Sequence, residues 1–92
     1  MDNNYVKNLE HCYHVKVGIE GLVRRYYRSM RVIYCHVEGS TALLTDSNHR
    51  KDKYPYVAKR ILQKYPELTH VHFTGEYMIY VYTRNTLKWI GL

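Results

Sequence analysis

An α+β fold built on a single sheet is what the sequence predicts, and three observations carry that expectation. Short runs of β-branched and aromatic residues alternate with stretches at helical spacing. Gly-Ser and Gly-Glu pairs punctuate those runs where hairpins need turns. The chain has 92 residues and 46% hydrophobic content, which suits one small domain, residues 1–92, with a thin core. A two-domain cleft or a complete dinucleotide-binding fold does not fit in that length.

Residues 1–10 (MDNNYVKNLE) are polar and read as a tail or a short helix. From Cys12 to Glu20 the pattern alternates. Tyr13, Val15, Val17 and Ile19 oppose Cys12, His14, Lys16 and Gly18, which predicts a strand with one buried face. Residues 20–29 change rhythm. Leu22, Val23, Tyr26, Tyr27 and Met30 recur at helical spacing, with Arg24, Arg25, Arg28 and Arg31 opposite. A short helix is the first reading there and a continued strand is its rival.

Residues 31–38 (RVIYCHVE) predict a strand, Gly39-Ser40 a turn and Thr41–Thr45 a second strand. Residues 46–53 (DSNHRKDK) have no period and read as a loop. Pro55 suits the first turn of a helix whose apolar stripe is Val57, Ala58, Ile61, Leu62 and Tyr65, and Pro66 ends it. Leu68–Thr74 and Tyr77–Thr83 form a hairpin around Gly75-Glu76. After a turn at Arg84-Asn85-Thr86, Leu87–Leu92 adds a last edge strand.

The order β-α-β-β-α-β predicts a ferredoxin-like arrangement: an antiparallel-rich sheet with helices on one face, plus the C-terminal strand. The alternation then assigns sides. Val15, Val17, Ile33, Val37, Val71, Phe73, Ile79 and Val81 point to the helices. His14, Lys16, Tyr34, His36, His70, His72, Tyr80 and Tyr82 stand on the free face. In outline this resembles RNA-recognition modules. Thr74–Tyr80 lacks their signature of a basic residue and glycine followed by alternating aromatics, so no family is assigned.

Charge narrows the function. Fourteen Lys and Arg face eight Asp and Glu, a formal +6. That favours anionic partners and excludes a DNA mimic. Tyrosine is abundant, with eleven residues, and aromatic rings on an open sheet stack unpaired bases. The expected function is a small, non-catalytic RNA-binding protein, with single-stranded or structured RNA preferred over duplex DNA because no helix-turn-helix pattern is present. Its candidate nucleic-acid residues are Lys16, Arg24, Arg25, Arg28, Arg31, Tyr34, His36, Arg50, Lys51, Lys53, His70, His72, Tyr80 and Tyr82. Tyr-rich, Ala-poor usage fits an AT-rich genome, so a phage or mobile-element inhibitor acting through RNA is part of the expectation.

The alternative is a protein-binding inhibitor or adaptor of a host enzyme, since Tyr and Arg suit interfaces and bare edge strands invite a homodimer. A metal-independent ribonuclease using His14, Lys16, His70 and His72 ranks third. No catalytic residue, metal or cofactor is assigned. Cys12-x-His14 and His70-x-His72 lack familiar zinc spacings, and no phosphate loop or catalytic triad occurs. Cys12 and Cys35 make no disulfide framework, and no signal or membrane-spanning run is seen. A cytoplasmic protein without membrane partners is the expectation.

Overall fold

The computed structural model describes the backbone from Asn3 to Leu92 and the side chains from Asn8 onward. It is an α+β fold with two helices and one four-stranded mixed sheet. Helix α1 spans Asn3–Tyr26, strand β1 Val32–Glu38, β2 Thr41–Asp46, helix α2 Tyr54–Lys64, β3 His70–Thr74 and β4 Ile79–Tyr82. Two short 3-10 turns, Lys51–Lys53 and Lys88–Ile90, complete it. The sheet runs β1-β2-β3-β4 in space, with β2 and β3 parallel and the other two pairs antiparallel. A parallel pair needs a crossover, and α2 is that crossover.

The α-β-β-α-β-β order replaces the expected ferredoxin-like one. The cause lies in residues 12–20, which are helical. Cys12, Val15, Ile19, Leu22 and Val23 recur at 3.6-residue spacing, and all but half-buried Cys12 are buried. Tyr13 and Val17, which create the look of alternation, are 62% and 44% exposed on the outer side. The predicted strand and the predicted short helix are therefore one continuous element, helical from Asn3. Gly18 leaves room for the Tyr65 side chain, which crosses it. A Cβ at Gly18 would lie 1.8 Å from the Tyr65 hydroxyl.

The hairpin β1–β2, helix α2 and hairpin β3–β4 lie where the sequence predicts them. The C-terminal segment does not form a strand. Leu87 is buried and Ile90 and Leu92 pack against the core, a spacing of three and two that a 3-10 turn satisfies and a flat edge strand does not. The Lys59 ammonium fixes the turn by donating to the Ile90 carbonyl at 2.6 Å. Gly91 closes it at φ +87°, where a side chain would be strained. Strand β4 is left as the edge.

All fully buried sheet residues stand on one face: Cys35, Val37, Ala42, Leu44, Asp46, Val71 and Phe73. They share a core with Val15 and Ile19 of α1 and Val57 and Ile61 of α2, so both helices cover that face. Tyr54 stacks on Phe73 with ring centroids 4.3 Å apart. The Cys35 thiol is buried there, and burial pushes it up to about 11, which leaves it protonated and inert at neutral pH.

Two side assignments are corrected. Tyr80 and Tyr82 face the core, and Ile79 and Val81 face outward. Tyr80 pairs with Phe73 and Tyr82 with Val71, because the four residues Gly75–Met78 make an even-numbered loop. Residues directly opposite in an antiparallel pair share a face, so Tyr80 and Tyr82 must follow Phe73 and Val71 inward. Ile33 is the second correction. A register shift between Val32 and Tyr34 turns it outward and leaves it 62% exposed.

Candidate nucleic-acid interface

The site is built from the end of the sheet where α1 finishes and β1 begins. Chain direction puts four segments there: residues 24–31, the 46–53 loop, the start of α2 and the 75–78 turn. Asp46 ties the first two together. Its buried carboxylate accepts from the backbone N–H of Arg31 at 2.7 Å, of Asn48 at 3.0 Å and of Arg50 at 2.7 Å. Ser47 N–H donates to the Arg31 carbonyl at 2.8 Å, and the Asn48 side chain donates to the Ser29 carbonyl at 2.9 Å. His49 adopts φ +51° inside this loop. The DSNHRKDK segment is thus a folded turn around one acid. Burial and the adjacent Asp46 carboxylate push the Tyr54 phenol up to about 12.

This wiring gathers cations that lie apart in sequence. Arg24 and Arg31 border one shallow hollow. Arg28 precedes Ser29 and Arg31, the two residues bonded to the loop that carries Arg50, Lys51 and Lys53. Arg60 of α2 reaches back to α1, its Nε donating to the Tyr27 hydroxyl at 3.2 Å. Only Asp52 pairs with members of this group, at 3.3 Å to Arg50 and 3.9 Å to Lys53, and Asp46 is spent on backbone N–H groups. Arg24, Arg25, Arg28, Arg31, Lys51 and Arg60 form no ion pair among the described residues.

Aromatic rings interleave with these cations. The Tyr26 ring lies under the Arg60 guanidinium at 4.5 Å and the Arg25 guanidinium at 5.4 Å. Tyr34 and Tyr77 stand at the same end on the sheet side, Tyr77 being 93% exposed.

The open face of the sheet is a different surface. Its register sets three rows: Glu38, Thr41 and His70; then His36, Leu43, His72 and Val81; then Tyr34, Thr45, Thr74 and Ile79. No lysine or arginine stands in these rows. Tyr34 and His36 stack at 6.3 Å, and His70 meets His72 edge-on at 5.9 Å. Burial, then neighbouring His70, pushes the His72 imidazole below its ordinary value.

Of the residues singled out in the sequence, Arg24, Arg25, Arg28, Arg31, Arg50, Lys51 and Lys53 converge on the basic end. Tyr34, His36, His70 and His72 stand on the open face as expected. Lys16 and His14 do not, because they lie on α1. Lys16 pairs with Glu20 at 3.0 Å, one helical turn on, and that hydrogen bond raises its ammonium. Tyr80 and Tyr82 belong to the core side, 5.7 Å from Tyr54 and 5.9 Å from Phe73. Sequence reasoning missed Asp46 and Arg60 as organisers. The aperiodic loop following a strand was the available signal for the first, and Arg60 shows none beyond its charge.

No group of three or more His, Cys, Asp or Glu suited to a metal is present among the described residues. No described helix is long and apolar enough to cross a membrane. Set against known protein families, curated proteins and solved structures, the chain matches none.

Proposed function

We propose that this is a non-catalytic RNA-binding protein that grips the phosphate backbone at the basic end of its sheet. One observation carries the reading: eight of the fourteen Lys and Arg gather at one end, and six of them have no carboxylate partner among the described residues. A protein that used these charges for stability would pair them. Unpaired arginines beside exposed tyrosines suit phosphates and unpaired bases. RNA in single-stranded or structured form is the preferred ligand, because stacking needs bases out of the duplex.

Titration of a labelled RNA pool at rising salt tests this. Affinity falls steeply, by roughly 0.7 log unit per phosphate contact per log unit of salt on a single strand. Combined Arg24→Ala, Arg25→Ala and Arg28→Ala flattens the slope by about 2. Absence of binding at ~50 mM salt overturns the proposal.

A second reading, a protein-directed inhibitor or a homodimer, is favoured by one feature. Strand β4 is an edge without proline or charge, and its own Ile79 and Val81 are exposed together with Tyr77 and Met78 of the preceding turn. A partner retained after nuclease treatment supports that reading, and its loss supports an RNA-bridged complex.

A further inference from the structure

The outer side of α2 carries a second, more structured feature of the basic end. The Arg60 guanidinium is held by two tyrosines. It lies 4.5 Å from the centroid of Tyr26 and 5.9 Å from that of Tyr27, and its Nε donates to the Tyr27 hydroxyl at 3.2 Å. That hydroxyl donates in turn to the Tyr56 carbonyl at 3.4 Å. The two terminal nitrogens of Arg60 have no hydrogen-bond partner among the described residues. Such a fork, held by two tyrosines and with its terminal N–H groups unpartnered among the described residues, suits a phosphate.

Beside it lies a hollow of about 270 Å³, lined by Tyr27, Tyr56, Lys59, Arg60 and Gln63. Tyr56 stands one helical turn before Arg60 and is half exposed. Trp89 meets Tyr56 edge-on with ring centroids 6.5 Å apart and is 68% exposed. An aromatic pair, Tyr56 of α2 and Trp89 of the C-terminal 3-10 turn, thus stands beside this hollow, which Tyr56 and Arg60 both line. A tryptophan left this exposed costs burial that the thin core could have used.

We infer that this hollow is a nucleotide subsite. The Arg60 fork takes a backbone phosphate, and the Tyr56–Trp89 pair stacks the attached unpaired base. The inference rests on the RNA-binding reading and adds to it a place where one unpaired base and its phosphate are held. Lys59 is excluded from the phosphate role, because its ammonium is committed to the Ile90 carbonyl.

Trp89 is the only tryptophan in the chain, so its emission reports on the subsite alone. The full chain is titrated with a labelled single-stranded RNA of mixed sequence, following RNA anisotropy and Trp89 fluorescence together. Binding quenches Trp89. Arg60→Lys keeps the charge and loses the fork, and it weakens affinity roughly tenfold, whereas Arg28→Lys changes it less than about twofold. Trp89→Leu, at an exposed position, weakens affinity by about fivefold or more with the melting temperature unchanged. If Arg60 only pins α1 to α2, Arg60→Lys lowers the melting temperature while Trp89→Leu leaves affinity intact, and the subsite is overturned. RNA binding at full strength with no quenching overturns the subsite and leaves the basic-end reading standing. No RNA binding overturns both.

Discussion

The two ends of the sheet spend their charges in opposite ways. At the end formed by residues 24–31 and 46–53, one acid, Asp46, is buried and used up. Asp46 serves three backbone N–H groups, and of the surrounding arginines only Arg50 has a carboxylate partner, Asp52, among the described residues. At the end formed by the β1–β2 turn and the 65–69 connection, an arginine is used up. Arg84 donates to the carbonyls of Leu68 at 2.6 Å and Leu62 at 2.7 Å, capping the C-terminus of α2. The acids there remain at the surface. Glu67 pairs with His11, its carboxyl held below the usual range first by its own backbone N–H and then by His11, and Glu38 approaches His36 at 3.5 Å. The difference shows how a small chain can leave a basic surface without acid partners. At the basic end the buried structural need is met by an acid, and at the other end by an arginine.

The largest test of this contrast is removal of Asp46. Asp46→Ala leaves three buried or half-buried backbone donors without their acceptor, at ~1–3 kcal/mol each, so a loss of about 3 kcal/mol or more is expected. Urea unfolding measures it. The loop carrying Arg50, Lys51 and Lys53 is released as well, so RNA affinity falls together with stability. A loss below ~1 kcal/mol would mean that the loop holds itself, and that the acid at this end is not structural.

Arg84→Ala comes next. A charged donor shared among helix-terminal carbonyls is worth about 2 kcal/mol. The same unfolding measurement reads that loss. RNA affinity at temperatures where the variant is folded stays unchanged, because this arginine is already spent. Weakened binding without loss of stability would place Arg84 on the working surface and break the contrast.

Legibility followed the reach of each signal. Helix α2 was readable because Pro55, the apolar stripe and Pro66 are all local. The hairpins were readable because Gly39-Ser40 and Gly75-Glu76 mark their turns. Helix α1 was not, since Val15 and Ile19 fit both a period of two and a period of four, and exposed Tyr13 and Val17 tipped the pattern toward a strand. Tyr80 and Tyr82 were misplaced because Ile79 and Val81 are equally apolar, so only the loop parity decides their side. Each basic cluster was visible in sequence. Their convergence was not, because it depends on Asp46 and on the Arg60–Tyr27 contact, both long-range.

The smallest expected effect concerns the row between the two ends. His72 sits at its centre, half-buried, with its imidazole lowered first by burial and then by His70. The sign follows from linkage. A folded imidazole below the ordinary 6.5 resists a proton that the unfolded chain accepts, so this group leaves stability untouched above about pH 7 and reduces it as pH falls through 6.5. His72→Gln should flatten the stability profile between about pH 7 and 5 by a small, measurable amount in thermal melts. The same variant sharpens the contrast functionally. Protonation places positive charge on a face that has no lysine or arginine in its rows. If RNA stays at the basic end, the pH dependence of its affinity is the same in the wild type and in His72→Gln. If RNA extends over the open face, acid tightens wild-type binding more than that of the variant, and the working surface is then the whole sheet rather than one end of it.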